Sequence, residues 1–544
     1  MSEKKVDGLD QLAEEFWAWR AYHQPVSSDD IPRLERPEDW DPNWSLPSIQ
    51  KQRGDLTAFE DRLKTIDPSG WPINRQVDYR LVASAFARVR WELDVLRSWE
   101  RNPRFYVYQT LGALFEELLL NKPFDRPRSE RIVGILERSP KLLEHGKTNL
   151  AGAAVKPFTL PMLELLSDVR SQVSEVVNAL KPLLHSEIAG LLEGAAEAAI
   201  SALESFRGWL ETQLPHFSEG SAVGREDYCF FLKYVGLVPL TPEQLLTMGR
   251  QEWERSMVFE AIAQERAKGV AELPLFPDQA AQMAAEQEDE QKIRQFLEEK
   301  NLLSVPEWVR HYRNLPMPAY IEPLVNLGVA DDLTSPARLD ENGLRYIPQP
   351  STDLGYFELS SARDTRPLVV HEGVPGHYLQ MSIAWAHENP IRRHYYDSGP
   401  NEGIGFYAEE MMLQGGLFDD NARTREVIYN FMRLRALRVE VDVKLALGLF
   451  SIDEATEYVR TRTPMDYNTA RAEAIFFASL PGQAITYQIG KLQITKFLAD
   501  ARQKLGSKFD LRAFHDYLWK NGNVPIALLR WEFLGLDDEI AILD

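Results

Sequence analysis

The residues best suited to hold a metal ion and activate water lie between positions 369 and 410. His371 and His377 flank Glu372 and a Pro-Gly pair, and Glu402 follows twenty-five residues after the second histidine. A catalytic zinc site uses three nitrogen or oxygen ligands from the protein and leaves a fourth position for water. We therefore predict that His371, His377 and Glu402 bind Zn²⁺. Glu372, next to the first ligand, is the predicted general base.

The spacing of the two histidines departs from the usual His-Glu-x-x-His helix, in which ligands four residues apart share one face. His371 and His377 are six residues apart, which on an ideal helix is about 120° around the axis and about 9 Å along it. Pro375 and Gly376 lie between them. Because proline interrupts helical hydrogen bonds and glycine accepts unusual dihedral angles, we expect a kink that returns His377 to the side of His371.

A further acidic residue follows Glu402 on the same predicted helix. Glu409 comes seven residues after Glu402, so the two side chains lie on one face of a helix. A carboxylate in that position could hold a metal-binding imidazole in the right orientation. The alternative for Glu409 is an ordinary solvated glutamate on the protein surface.

The elements that must position these residues are predicted to be mainly helices. The stretches from Thr241 to Gln244 and from Ser451 to Glu454 are capping-box patterns, each of which begins a helix. Residues 186–214 are rich in Ala, Leu and Glu and predict a long helix. The acidic segment 284–300 predicts a helix with a solvated face.

Strand patterns are confined to a short region just before the metal-binding motif. Residues 344–347 and 356–359 each contain three apolar or aromatic residues and one charged residue, have turn-forming neighbours, and predict two strands. The second of these strands could pair with the backbone of an extended substrate. We place a boundary near residue 340, which separates a helical N-terminal part (1–340) from a catalytic part (341–544).

Three motifs resemble those of the bacterial DUF885 family, a domain of unknown function grouped with the gluzincin metallopeptidases. Residues 371–380 resemble that family's His-Glu-Ala-Ile-Pro-Gly-His-His-Leu-Gln, and residues 401–409 resemble its Glu-Gly-Trp-Ala-Leu-Tyr-Ala-Glu segment. Residues 481–490 resemble its Pro-Gly-Gln-Ala-x-x-Tyr-x-x-Gly motif. The resemblance implies a mainly α, metallopeptidase-like fold similar to thimet oligopeptidase and carboxypeptidase Taq, with a small β-sheet edging the zinc cleft.

The predicted reaction is zinc-dependent hydrolysis of an amide bond, with Glu372 taking a proton from water. Tyr487, on the helix that follows the Pro481-Gly482 break, is the predicted donor to the carbonyl oxygen as that oxygen gains charge. An ordinary half-buried tyrosine is the alternative for Tyr487. Arg471 could grip a substrate carboxylate through its planar guanidinium, or it could form an intramolecular pair with an acid.

Two other functions would use the same residues. One is a non-peptidase zinc amidohydrolase, and the other is a metal-binding interaction protein that is catalytically inactive. The presence of Glu372 beside three ligands favours an enzyme, because an inactive relative usually lacks the base or a ligand. The resemblance to oligopeptidases, whose helices wall in a deep cleft, implies a short peptide or peptide-like substrate. The sequence assigns neither a cleavage position nor an oligomeric state.

The composition excludes several other classes of protein. Of 544 residues, 82 are acidic and 61 are basic, and the formal charge of −21 repels the phosphates of nucleic acids. The single cysteine, Cys229, excludes an internal disulfide and a thiolate zinc cluster. The first ten residues lack the apolar core of a secretory signal, and no apolar run is long enough to span a bilayer. The sequence therefore predicts a cytoplasmic protein with no membrane partner.

Overall fold

Helices make up most of the N-terminal half in the computed structural model, which describes residues 8–27 and 34–544. Short π-helical segments and 3-10 turns extend several of them, at Trp91–Leu96, Tyr108–Gly112, Leu166–Asp168, Leu214–His216 and Phe231–Val235. The α-helices before the sheet are α1 (Gly8–His23), α2 (Leu46–Lys64), α3 (Ile73–Arg90), α4 (Ser98–Arg101), α5 (Arg104–Val107), α6 (Ala113–Leu119), α7 (Arg126–Leu150), α8 (Lys156–Leu165), α9 (Val169–Leu180), α10 (Ala189–Gln213), α11 (Arg225–Phe230), α12 (Pro242–Ala267) and α13 (Gln279–Glu299).

Helices also make up most of the C-terminal part. A π-helical segment, Val369–Gly373, and 3-10 turns at Glu322–Leu327, Pro336–Arg338 and Gly506–Lys508 accompany them. The α-helices after the sheet are α14 (Tyr356–Ser361), α15 (Arg366–Leu368), α16 (His377–Trp385), α17 (Pro390–His394), α18 (Ser398–Gly415), α19 (Ala422–Ala446), α20 (Ile452–Arg460), α21 (Tyr467–Ser479), α22 (Thr486–Leu505), α23 (Leu511–Asn521), α24 (Ile526–Leu534) and α25 (Ile540–Leu543).

Both predicted capping boxes are present, and each begins a helix. At the start of α12, the Thr241 hydroxyl accepts a hydrogen bond from the Gln244 amide at 3.3 Å, and the Gln244 side chain accepts one from the Thr241 amide at 2.8 Å. Ser451 and Glu454 make the equivalent pair at the start of α20. The helix predicted over 186–214 is also confirmed, as α10, which begins three residues later.

A three-stranded sheet lies between α13 and α14 in the chain, formed by β1 (Tyr312–Pro316), β2 (Asp331–Asp332) and β3 (Gly343–Ile347). β3 is the central strand, parallel to β1 and antiparallel to β2. The strand predicted at 344–347 is therefore confirmed, and the described part of the chain is mainly α with one small sheet, as predicted. β1 and β2 precede residue 340 and β3 follows it, so the sheet contains strands from both predicted parts, 1–340 and 341–544. The division of the chain into these two parts stays a prediction.

The strand predicted at 356–359 is wrong, because these residues lie in α14. The rings of Tyr356 and Phe357 lie 5.6 and 5.7 Å from the ring of Phe431 in α19, so their apolar surface is buried against a helix. A short, mostly apolar run of four residues does not distinguish a strand from a buried helical turn. Since no strand forms here, this segment offers no edge for pairing with a substrate backbone.

The solvated helix face predicted for 284–300 is wrong for two of its glutamates. Glu286 and Glu290 of α13 are buried against β1, with exposed fractions of 1% and 0%. Glu286 accepts a hydrogen bond from the main-chain amide of Asn314 at 3.0 Å, and Glu290 pairs with Arg294 at 2.6 Å. Charge pattern alone could not predict this burial, because it depends on a strand that follows the helix in the chain.

The helices that carry Glu402 and Tyr487, α18 and α22, cross at two glycines. A Cβ on Gly403 would lie 2.7 Å from the Cα of Gly490, so the absence of side chains lets the two backbones touch. This crossing fixes the distance between the two helices at the level of the predicted metal ligands.

No helix in the described part of the chain is both long enough and apolar enough to cross a membrane. The prediction about a secretory signal concerned the first ten residues of the sequence. Residues 1–7 of this stretch lie outside the described residues.

Candidate metal centre

The predicted break between His371 and His377 is confirmed. His371 lies in the π-helical segment that ends at Gly373, and His377 is the first residue of α16. Gly376 permits the tight turn between them, because a Cβ at this position would lie 1.7 Å from the carbonyl oxygen of His371. The two imidazole rings converge, with 4.7 Å between their centroids and 79° between their planes. The interruption of the helix therefore places side chains six residues apart next to each other.

α18 supplies the third predicted ligand. Glu402 Oε2 lies 3.4 Å from His371 Nε2 and 3.3 Å from His377 Nε2. One ligand atom from each of the three residues lies within 4.8 Å of the others, and all three residues are buried. Almost one turn further along α18, Gly405 leaves room for both rings, since a Cβ there would lie 3.0 Å from each Cε1 atom. The structure thus brings together the three residues predicted to bind metal.

The buried polar atoms of this group are short of hydrogen-bond partners. Within the described residues, Glu402 Oε2 and His377 Nδ1 are buried and make no hydrogen bond of normal geometry. A buried carboxylate oxygen without a donor costs free energy unless a cation lies beside it. Two imidazoles and one carboxylate form a ligand set that zinc uses in catalytic sites. The residues present therefore fit a zinc ion.

The electrostatics of the group favour a positive charge between its members. Burial disfavours a charged imidazole, but the carboxylates of Glu402 and Glu409 outweigh it and raise the pKa of His371 to about 9. Burial also opposes ionisation of Glu402, yet the His377 and His371 imidazoles hold the pKa of this carboxyl well below its ordinary value. A proton and a metal ion compete for the same imidazole nitrogen, so the affinity for metal falls as the pH is lowered.

Glu409 occupies the position predicted for a residue that orients a ligand. Its side chain is fully buried, and its Oε1 lies 2.7 Å from His371 Nδ1. Arg435 of α19 lies behind it, with Nη2 at 2.8 Å from the same oxygen. The Arg435 guanidinium also lies 5.0 Å from the centre of the Phe406 ring. Arg435, Glu409 and His371 thus form a buried chain that fixes one imidazole.

Glu372, the predicted general base, lies beside the central strand of the sheet. Its side chain is 15% exposed, and Oε1 is 3.9 Å from the Nη1 atom of Arg345 in β3. The same nitrogen lies 3.0 Å from Asp331 in β2. The sheet therefore supplies a buried cation next to Glu372, a role for Arg345 that the sequence did not reveal.

Tyr487, the predicted donor, lies next to His371. Their rings are nearly parallel, at 16°, with 6.3 Å between centroids, and the guanidinium of Arg438 lies 4.7 Å from the tyrosine ring. The loop before Tyr487 is held by Asp442 of α19, whose carboxylate accepts hydrogen bonds from the amides of Gly482 at 2.9 Å and Ala484 at 2.7 Å. The Pro-Gly-Gln motif is thus anchored where it positions Tyr487.

Arg471 is not among the residues around the metal group. Its guanidinium pairs with Glu164 of α8 at 2.7 and 3.1 Å. Of the two roles predicted for Arg471, the structure therefore contains the intramolecular ion pair and not a binding site for a substrate carboxylate. Besides Arg345, the arginines that face the site are Arg435 and Arg438, and neither was identified from the sequence. Their spacing of three residues, with apolar neighbours at 434, 436, 437 and 439, is a usable signal, because an arginine on a buried face needs a specific partner.

Known proteins share the fold of this chain without assigning it a function. A family model described as "Bacterial protein of unknown function (DUF885)" matches residues 34–532. Two similar solved structures are a "putative lipoprotein of unknown function" from Shewanella oneidensis, at 16% identity and a TM-score of 0.69, and a "putative lipoprotein" from Colwellia psychrerythraea, at 18% and 0.77. Each similarity covers 97% of this chain and 99% of the other. No curated protein sequence matches this chain.

The predicted cytoplasmic location is contradicted by these two neighbours. Both are described as lipoproteins, and a lipid anchor holds a protein at a membrane instead of leaving it free in the cytoplasm. Acidic composition and the lack of a long apolar run do not distinguish the two cases, because a folded domain needs a polar surface in either. The location drawn from composition therefore does not stand.

Proposed function

We propose a function for this chain from its metal-binding group, because the chain belongs to DUF885, a family of bacterial proteins of unknown function. The proposed activity is zinc-dependent hydrolysis of amide bonds in short peptides. The observation that carries it is the convergence of His371, His377 and Glu402, with ligand atoms within 4.8 Å of one another, next in the chain to Glu372. Three such ligands and an adjacent carboxylate are what a hydrolytic zinc site needs.

The three ligands would hold zinc, and the buried chain from Arg435 through Glu409 would keep the His371 ring oriented. When bound, zinc supplies Lewis-acid catalysis by polarising a carbonyl group and making water more acidic. The burial of the ligands keeps bulk water away from the reacting groups, which strengthens every electrostatic interaction among them.

The side chains around the ligands would move the protons. Glu372 accepts a proton from the attacking water as the water oxygen bonds to the carbonyl carbon, and it then delivers this proton to the amine nitrogen as the carbon–nitrogen bond breaks. Arg345, 3.9 Å away, keeps the Glu372 carboxylate in place. The Tyr487 hydroxyl donates a hydrogen bond to the carbonyl oxygen while that oxygen carries negative charge.

The finer assignment is a gluzincin-type peptidase with an architecture like that of thimet oligopeptidase and carboxypeptidase Taq. It is supported by the motif resemblance at 371–380 and 401–409 and by a mainly α fold whose small sheet lies beside Glu372. A non-peptidase zinc amidohydrolase would use the same residues in the same roles. The peptidase and the amidohydrolase therefore differ in the substrate that they hydrolyse and not in the residues of the site.

The test is hydrolysis of a mixture of peptides of about two to fifteen residues, read by mass spectrometry, with zinc-loaded and chelator-treated protein. We expect cleavage only with zinc, and Glu372→Gln should keep its zinc while losing at least roughly 100-fold in rate. Glu388→Gln is the matched control, because Glu388 belongs to the second His-Glu dipeptide of the chain and is exposed. Unchanged hydrolysis by Glu372→Gln would refute the mechanism. Cleavage of small amides without cleavage of any peptide would favour the amidohydrolase.

A further inference from the structure

A cavity of about 980 Å³ borders the segment before α18 and the loop before Tyr487, and the predicted metal ligands do not line it. Ligand pockets usually have volumes of about 300–1,000 Å³ and largely apolar walls with a few polar groups. Aromatic side chains form much of this wall, among them Phe16, Trp44, Trp91, Trp99, Phe105 and Tyr108. The cavity therefore has the size and the lining of a binding site for an organic ligand.

Two segments connect this cavity to the metal-binding group. Tyr396 lines the cavity, and α18 begins two residues later and carries Glu402 about 6 Å further along its axis. Gln483 also lines the cavity, four residues before Tyr487. An extended peptide advances about 3.3 Å per residue, so separations of this size correspond to a few residues of an extended peptide.

Arg104, at the start of α5, lines the cavity and has no carboxylate partner within the described residues. Its Nη2 donates to the Tyr108 hydroxyl at 2.5 Å, and its guanidinium lies 4.9 Å from the centre of that ring. Its Nε makes no hydrogen bond to any described residue. Among the described residues, no carboxylate is therefore paired with the positive charge of Arg104.

The neighbour Asn102 ties Arg104 to the catalytic part of the chain. The side-chain oxygen of Asn102 accepts a hydrogen bond from the Arg104 amide at 3.0 Å, and its Nδ2 donates to the Ser479 hydroxyl at 3.4 Å. Ser479 ends α21, just before the loop that positions Tyr487. Arg104 thus has a fixed place relative to the proposed active site.

The other arginines of the cavity wall already have acceptors. An arginine that holds a carboxylate or main-chain carbonyl oxygens has fewer donors left for a ligand. These arginines and their partners are Arg20 with Glu92, Arg88 with Asp397, Arg36 with the carbonyls of Ala21 and Gln24, and Arg393 with the carbonyl of His387. Among the described arginines of this wall, Arg104 is therefore the one that holds neither a carboxylate nor a main-chain carbonyl.

We infer that the cavity binds a carboxylate-bearing segment of an oligopeptide substrate and that Arg104 is the ion-pair partner of this carboxylate. A guanidinium binds carboxylates through paired, charge-assisted hydrogen bonds, and the aromatic wall suits the apolar side chains beside them. This inference rests on the proposed function for the identity of the ligand as a peptide. The carboxylate is either the C-terminus or an acidic side chain, since both offer the same two oxygens.

The test measures binding, so that it does not depend on turnover. Zinc-loaded Glu372→Gln protein is titrated in a calorimeter with three acetylated hexapeptides: one with a free C-terminal carboxylate, one with a C-terminal amide, and one with a C-terminal amide and an internal Glu. We expect the free acid to bind at least about tenfold more tightly than the plain amide. Tight binding of the internal-Glu peptide identifies a side-chain carboxylate as sufficient, whereas weak binding restricts the site to the C-terminus.

Second substitutions in the Glu372→Gln protein assign the preference to Arg104. Arg104→Gln should reduce the ratio of acid to amide affinity to about one, and Arg104→Lys should keep part of it. Arg101→Gln is the matched control, because that guanidinium donates to the Gly220 carbonyl and does not line the cavity. Equal binding of all three peptides, no peptide binding, or a preference for a carboxylate that survives Arg104→Gln would overturn the inference. If the wild-type protein does not cleave a peptide that is bound through Arg104, the proposed activity fails while the binding site stands.

Discussion

Glu409 Oε1 lies 2.7 Å from His371 Nδ1, while the other nitrogen of the same ring, Nε2, lies 3.4 Å from Glu402. A carboxylate at Nδ1 holds a proton on that nitrogen and leaves Nε2 as the metal ligand. Arg435, 2.8 Å from the same Glu409 oxygen, compensates the buried negative charge. The orientation of the first predicted ligand is therefore set by a residue that does not touch the metal position.

Replacing Glu409 should weaken metal binding without removing a ligand. We expect Glu409→Gln to lower the affinity for zinc by about 10- to 100-fold, because the amide holds the His371 ring and its proton less firmly. Competition with a chelator of known affinity measures the change. Glu410→Gln is the control, since Glu410 pairs with Lys491 at 2.7 Å instead. An unchanged zinc affinity in Glu409→Gln would show that the contact does not orient a ligand.

Removing either imidazole should abolish stoichiometric metal binding. We expect one zinc ion per chain in the wild-type protein and far less than one in His371→Ala and in His377→Ala, because two ligands do not retain zinc against a chelator. Elemental analysis by mass spectrometry after dialysis measures the content. His387→Ala should keep a full metal content, since His387 accepts a hydrogen bond from the Asn389 amide and is outside the group. Full occupancy in His371→Ala would contradict the assignment.

A side chain at Gly376 should disrupt the turn that joins the two histidines. The new Cβ of Gly376→Ala would lie 1.7 Å from the His371 carbonyl oxygen, which is backbone and cannot move independently. We expect a loss of zinc binding and a lower melting temperature, measured by zinc titration and thermal unfolding. Gly54→Ala in α2 has open space around its Cβ and should stabilise the helix slightly. Normal zinc affinity in Gly376→Ala would show that the turn tolerates a rearrangement.

The stability of the fold should fall with rising pH in the range where Glu286 ionises. Burial raises the pKa of Glu286 from 4.5 to about 7. Well below pH 4.5 the residue is protonated in both the folded and the unfolded state and does not affect stability. As the pH rises towards about 7, the unfolded chain ionises first and the free energy of unfolding falls, by roughly 3 kcal/mol at most. Above that pH the loss is complete.

The comparison that tests this pH dependence uses Glu286→Gln, which keeps an oxygen acceptor for the Asn314 amide. Urea unfolding measures the free energy of unfolding of both proteins at pH 5 and at pH 8. We expect the stability of the variant relative to the wild type to be greater at pH 8 than at pH 5, by a few kcal/mol. Glu288→Gln on the same helix should show no such difference, because Glu288 is 68% exposed and pairs with Lys292 in solvent. Parallel pH profiles for wild type and Glu286→Gln would mean that Glu286 titrates normally.

Several features followed from the sequence alone because they depend on residues close together in the chain. A capping box involves residues three apart, so Thr241 and Ser451 fixed the starts of α12 and α20. The break between His371 and His377 follows from Pro375-Gly376, because both residues act on their own backbone dihedrals. The helical character of most of the chain is local information of the same kind.

Other features were decided only by the tertiary structure, because burial and the choice of partner depend on elements far apart in the chain. The segment 356–359 is helical because its rings pack on α19, and Glu286 is buried because β1 covers it. Arg471 pairs with Glu164, 307 residues away, whereas Arg435 and Arg345 come to lie beside Glu409 and Glu372. A charged side chain inside a protein takes the nearest partner in space, and no local pattern in the sequence specifies which partner that is.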